Sequence, residues 1–227
     1  MRVGIFTYHF SDNYGALMQA YALRDFIGSM GHDAFFVPYH PSYVEEGGKL
    51  KLGKPLSKDN AKILYLKLVD FKERIFGNKV MKEGFKLFRS EKLGITTPGI
   101  SVISELNSII GTCDILVTGS DQVWRPSDHF GLDPTYYLGF PFSVSARRVS
   151  YAPSFGTDTL IPSVRDSVSK LLDDIDYISV RETSGKDIVG SLTGKVPVVV
   201  PDPTFLADNF DGILEEYPGT TNDAYVF

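Results

Sequence analysis

The residues Thr118-Gly119-Ser120-Asp121-Gln122 stand directly after the apolar run Ile115-Leu116-Val117, and the single tryptophan, Trp124, follows them. A carboxylate at a strand end can accept a proton from an incoming hydroxyl. The same carboxylate can instead accept backbone N–H groups and hold its own loop. Trp124 offers either a flat apolar face for a sugar ring or a large core side chain. Arg181 is the second candidate, just past an apolar run in "DYISVRE" (176–182). A guanidinium there can grip a carboxylate or phosphate through paired hydrogen bonds. The alternative is an ion pair to Glu182 or Asp187. Asn13, Tyr14 and Gly15 form the third candidate, immediately before a helical stretch. Backbone N–H groups at a helix start can hold an anion or a sugar hydroxyl. Alternatively, Asp12 or Asn13 simply caps the helix.

Several common chemistries find no pattern here. "NYGAL" has one glycine where a dinucleotide fingerprint needs three, and no phosphate-binding G-x-x-x-x-G-K-[ST] motif occurs. The histidines at 9, 32, 40 and 129 lack metal-ligand spacing, so no metal is expected. No G-x-S-x-G elbow occurs, and no nucleophile–base pair is visible. Cys113 is the only cysteine and reads as a structural thiol before a strand.

Elements of alternating type must position these residues. Val3–Tyr8 reads as a strand, Ala16–Met30 as a helix and Ala34–Tyr39 as a second strand, the length of a βαβ unit. Residues 41–60 read as an exposed excursion, and helices are expected near 61–76 and 79–89. A short helix (101–109) feeds strand 114–118, and strand 147–152 follows a polar loop. Then come helix 162–174, strand 176–182, helix 184–192 and strand 197–205. The short apolar strands read as buried on both faces. The expected fold class is therefore α/β, with a doubly wound, mostly parallel, Rossmann-like sheet.

In such sheets ligands bind beyond the carboxyl ends of the strands. That rim collects His9, Asn13, Tyr14 and Gly15 after the first strand, then Ser120, Asp121, Gln122, Trp124 and Arg125 after the third. Ser154 follows the next strand, then Arg181, and finally Asp202. Arg147 and Arg148 enter their strand at its other end and read as structural.

Composition sets the setting. The 227 residues are 43% apolar and 22% charged, which is ordinary for a globular protein. The net charge of −5 and the lack of a basic block argue against nucleic acid as a partner. The N-terminus enters a strand without a secretory pattern, and no run approaches the roughly 18 apolar residues of a membrane span. A cytoplasmic protein is the expected setting, and the single cysteine fits one.

"GIFTYHFSDNYGALMQAYAL", "VTGSDQVWRP", "SYAPSFG", "ISVRETSG" and "VPDPTFL" occur in an order and spacing that resembles the polysaccharide pyruvyl transferase family, from residue 3 to about 206. The resemblance implies one half of a two-domain fold like that of GT-B glycosyltransferases. It implies transfer of pyruvate from phosphoenolpyruvate to two hydroxyls of a sugar, giving a cyclic ketal. The acceptor would be a sugar or a lipid-linked oligosaccharide, and a lipid-linked acceptor would bring the protein to the membrane surface. No cofactor is implied besides phosphoenolpyruvate as donor substrate. By motif match Asp121 is the candidate base or partner of an acceptor hydroxyl, and Arg181 the candidate grip on the donor anion. Asn13, Tyr14 and Gly15 would line the cleft, with Gln122 and Trp124 beside the acceptor.

The resemblance also implies a second half carrying a general-acid histidine and further basic residues. The expected division is a Rossmann-like domain over 1–217, with a helical insertion near 41–94, and a linker and strand opening over 218–227. The alternative for that last stretch is a tail packed on the same sheet. Two other functions fit the architecture: a glycosyltransferase using a nucleotide-sugar, and a non-catalytic glycan-binding domain.

Overall fold

The computed structural model describes residues 1–41, 43, 64, 65, 68, 79–126, 131–207 and 210. Most of the excursion at 41–60, most of the helix expected near 61–76, the site of His129 and the boundary near 217 lie outside the described residues.

The chain alternates as the apolar spacing predicts. In order it forms β1 (Arg2–Phe6), α1 (Tyr14–Ser29), β2 (Asp33–Phe36), α2 (Lys79–Glu91), α3 (Asn107–Ile110), β3 (Ile115–Thr118), β4 (Arg147–Ser150), α4 (Pro162–Asp173), β5 (Ser179–Val180), α5 (Thr183–Thr193) and β6 (Val198–Val199). Four strands make one parallel sheet in the order β2-β1-β3-β4. β5 and β6 pair in parallel beside it. A parallel bridge between Val149 and Tyr177 and the Ser150 N–H to Tyr177 carbonyl bond of 2.9 Å join them to β4. β5 and β6 are shorter than the apolar runs suggest, and β4 ends at Ser150 because Ala152 turns to φ 54°.

The central strands β1 and β3 feed both faces, as their period of two requires. Val3, Ile5 and Val117 face α1, packing with Leu17, Ala20, Leu23 and Ile27. Phe6 and Leu116 face the other way, into a core shared with Val164, Val168 and Leu172 of α4 and Ile188 and Val189 of α5. Gly4 lies on this second face. A side chain there would meet Cys113 Sγ at 2.9 Å and Val37 and Leu116 at 3.1 Å. Burial on two faces is what a parallel sheet needs. β6 departs from that expectation: Val198 is 64% and Val199 43% exposed. Among the described residues it is an edge strand, and its apolar letters do not report core positions.

α1 begins at Tyr14, two residues before the apolar spacing places it. Asn13 is extended, at φ −138°, and its side chain accepts from the Ala16 N–H at 3.0 Å. Such a cap contributes about 1 kcal/mol. The capping alternative at Asn13 is therefore what the structure shows.

The strand order reverses between β1 and β3, because β2 lies on one side of β1 and all later strands on the other. A crevice at the carboxyl end of such a switch point is the usual ligand position in this architecture.

Candidate active site

The loops after β3, β4 and β5 are tied together at that rim. The Ser154 N–H donates to the Asp121 carbonyl at 2.9 Å, and the Trp124 N–H donates to the Ser154 carbonyl at 3.2 Å. The Arg181 N–H reaches the Pro153 carbonyl at 3.3 Å. These bonds extend parallel pairing beyond the named strands, with a bridge between Asp121 and Pro153. From below, Gln19 of α1 donates to Thr7 Oγ1 at 2.9 Å, and Thr7 Oγ1 donates to the Ser120 carbonyl at 2.7 Å. The loop that carries Asp121 is thus held from three sides.

Asp121 itself sits at φ 88°, a left-handed conformation uncommon for any residue with a Cβ and easiest for Asn and Asp. Its Oδ1 accepts from the Gln122 N–H at 2.7 Å. Its Oδ2 makes no hydrogen bond among the described residues. Burial pushes its carboxyl above the ordinary range, although the Gln122 N–H and the Arg181 charge pull the other way. A strained, part-buried carboxylate with one unused oxygen is suited to taking a proton.

Arg181 combines both of its expected roles. Its Nε donates to Glu182 Oε1 at 2.7 Å, so the ion-pair partner is Glu182 and not Asp187. Its Nη1 makes only long contacts, 3.4 Å to Ser120 Oγ and 3.5 Å to Asp202 Oδ2. Nη2 makes no hydrogen bond among the described residues. Burial alone would lower this guanidinium. The bond and charge of Glu182, with Asp202 and Asp121, more than offset that and hold it above its usual value. Arg181 is therefore a held cation with Nη2 unused among the described residues, which suits it to binding an anion.

Gln122 and Asp202 complete the accessible group. Gln122 Oε1 accepts from Arg125 Nη1 at 2.9 Å. Gly156, at φ 60°, leaves room for this pair; a side chain there would stand 2.9 Å from Gln122. Asp202 Oδ2 accepts from Ser120 Oγ at 2.9 Å, while Oδ1 takes the Thr204 N–H at 3.0 Å and its hydroxyl at 2.9 Å. Asp202 thus caps its own turn and braces Arg181.

Four of the expected contacts are corrected by burial. Trp124 is fully buried and offers no face to a sugar. It stacks on Tyr137 at 5.1 Å and 7°, and its Nε1 donates to the Tyr136 carbonyl at 2.9 Å. Two tyrosines twelve and thirteen residues downstream claim the indole. Ser120 is also fully buried, with its hydroxyl spent on Asp202. Ser154 is 2% exposed, and its Oγ accepts from the Gly156 N–H at 3.0 Å. Both serines hold loops. His9 is 2% exposed, packed between Phe36 at 5.2 Å and Phe10 at 5.6 Å.

Asn13, Tyr14 and Gly15 are on the same side of the sheet but are not drawn into the group. Tyr14 is 69% exposed and its ring lies 4.7 Å from Phe85 of α2. Among the described residues, no hydrogen bond or ring contact joins the three to Asp121 or Arg181.

His9 has a measurable consequence. Burial depresses its imidazole to about 4, outweighing the bond from Nδ1 to the Thr7 carbonyl. The unfolded chain takes up this proton at about 6.5. The folded state therefore loses stability as pH falls from 6.5 towards 4, by on the order of 3 kcal/mol from this group. Asp121, with its raised carboxyl, acts in the opposite direction at acid pH. Urea unfolding across this range is expected to show the loss, and His9→Phe is expected to remove about that much of it.

The fold and rim define an α/β domain with a β1/β3 switch point, at whose carboxyl end stand a part-buried carboxylate, Asp121, and an arginine, Arg181. The chain belongs to the polysaccharide pyruvyl transferase family, whose model matches residues 13–226. Neither a curated protein nor a solved structure matches it. Among the described residues, no helix is long and apolar enough to cross a membrane.

Proposed function

We propose that this protein moves pyruvate from phosphoenolpyruvate onto two hydroxyls of a sugar in a cell-surface polysaccharide or its precursor, closing a cyclic ketal. The family membership supports a polysaccharide pyruvyl transferase. The observation that carries the residue assignment is Asp121, a part-buried carboxylate with a free oxygen within the electrostatic reach of Arg181.

The reaction sets the roles. Protonation of the donor's methylene carbon leaves a cation-like carbon at its centre. One sugar hydroxyl adds to that carbon, the bond to the phosphate oxygen breaks, and a second hydroxyl closes the ring. Of the two hydroxyl protons, one balances the new methyl group and the other leaves with phosphate. Asp121 accepts the proton of the attacking hydroxyl. Arg181 holds the donor's carboxylate or phosphate and offsets its charge as the phosphate departs. In this reading the domain is one half of a GT-B-like pair and works in the cytoplasm, and a lipid-linked acceptor would place it at the membrane surface.

The full-length protein, incubated with phosphoenolpyruvate and a panel of free, nucleotide-linked and lipid-linked sugars, is expected to release phosphate. Mass spectrometry is expected to find a sugar heavier by one pyruvate ketal. Transfer from a nucleotide-sugar instead, with no ketal, would assign glycosyl transfer. Saturable sugar binding without turnover would assign a glycan-binding domain.

A further inference from the structure

A second polar group, reached from the rim through Tyr8, has no part in the chemistry above. Asp133 is its centre. Tyr39 and Tyr43 both donate to Asp133 Oδ2, at 2.8 and 2.7 Å, while Oδ1 accepts from the Thr135 N–H at 2.9 Å. The Tyr136 hydroxyl lies in the electrostatic field of Asp133 and of Tyr8, Tyr39 and Tyr43. Tyr136 is 1% exposed, and among the described residues its hydroxyl has no hydrogen-bond partner. Leaving such a group unpaired in a protein interior is unfavourable. An orphaned hydroxyl beside a bound carboxylate is the kind of exception that a ligand site explains.

Tyr8 connects this group to the catalytic rim. It follows β1 at the switch point, and its ring meets Tyr136 edge-on at 5.2 Å. Among the described residues its hydroxyl makes no hydrogen bond. Burial, then the charges of Asp121 and Asp133, hold that hydroxyl protonated, and only Arg125 opposes them. Tyr8 therefore presents an unused donor in ring contact with Tyr136 and within the electrostatic reach of Asp121, Asp133 and Arg125.

That chemistry selects a class of ligand. A sugar presents neighbouring hydroxyls, each both donor and acceptor. Carboxylates can accept from them, and a tyrosine hydroxyl or a guanidinium can donate to them. A phosphate or carboxylate beside Tyr8 would feel the negative charge of both Asp121 and Asp133. We propose that Tyr8, backed by Tyr136 and Asp133, forms the acceptor-sugar subsite and donates a hydrogen bond to a hydroxyl of the acceptor. This rests on the pyruvyl-transfer reading for the identity of the acceptor, and it assigns opposite sides of Asp121 to the two substrates. The sugar lies towards β1 and Asp133, and the donor anion towards Arg181, just past β5.

Tyr8→Phe keeps the ring and removes only the hydroxyl, so the full-length variant is to be compared with the wild type in two assays. In steady-state kinetics, the KM for the sugar is expected to rise about tenfold, as one lost hydrogen bond implies. The KM for phosphoenolpyruvate is expected to stay within about twofold. Thermal unfolding of both proteins confirms that the variant is folded. An unchanged sugar KM, or an equal rise in both constants, overturns the inference. Calorimetric titration with the same sugar panel separates this outcome from failure of the reaction itself. If the wild type makes no ketal, the pyruvyl-transfer reading falls. Weaker sugar binding by Tyr8→Phe then sustains the subsite, and equal or absent binding in both proteins overturns it.

Discussion

Asparagine at position 121 is expected to lower turnover of the full-length protein by about 10²–10⁴-fold, the usual worth of a positioned general base. The same change is expected to leave the thermal midpoint within a few degrees. The separation of the two effects follows from local geometry. Asn tolerates the left-handed φ of 88° nearly as well as Asp. Its side-chain carbonyl can still accept the Gln122 N–H that now bonds Oδ1. What disappears is a charge that burial disfavours. Because the folded carboxyl titrates above its unfolded value, the ionised form costs stability once pH rises through that higher value. A neutral amide avoids this cost at neutral pH. Alanine would be a poorer test, since at this φ it adds about 1–2 kcal/mol of backbone strain. The pH profile supplies a second readout. The limb on which wild-type activity rises with pH should lie above the ordinary carboxylate range and vanish in Asp121→Asn. Unchanged turnover would remove Asp121 from the mechanism.

Trp124→Ala is expected to cost about 3–5 kcal/mol in urea unfolding, the largest single loss available near the rim. The indole is fully buried, stacked on Tyr137 and 5.2 Å from Phe155. Truncation leaves a cavity and strips the Tyr136 carbonyl of the Nε1–H that it accepts. The Tyr137 hydroxyl also donates to the Trp124 carbonyl at 2.7 Å, so the loop after β3 is pinned by ring and backbone together. Activity should fall with stability here, in contrast to Asp121→Asn. A loss below about 1 kcal/mol would show that the loop does not depend on this anchor.

Much of the scaffold was readable from local pattern. The βαβ unit over 2–36 and the strand over 115–118 declare themselves through apolar period and helix-start residues, because those signals are written within a dozen neighbours. The rim position of Asp121 and Arg181 followed from the same reading. Trp124 was harder, because a lone indole after a strand suits a sugar or a core equally well. The choice is made by Tyr136, Tyr137 and Phe155, which no local window contains. His9 and Ser120 look like ligands for the same reason, yet tertiary packing closes over both. Tyr8 escaped notice in the opposite sense. It reads as the last residue of a strand, and only the tertiary fold brings it against Tyr136 and into the field of Asp121 and Asp133. β6 reads as core from its valines, and only the strand order shows that it is an edge.

The backbone bonds that stitch the loops after β3, β4 and β5 bear on motion as well as position. Asp121 cannot shift along the rim without pulling Ser154, and Pro153 transmits the same displacement to Arg181. Thermal fluctuation is therefore shared by the three loops rather than spent on the gap between carboxylate and guanidinium. The two groups ride together, and a reaction that needs a fixed span between a proton acceptor and an anion clamp meets that span before either substrate arrives.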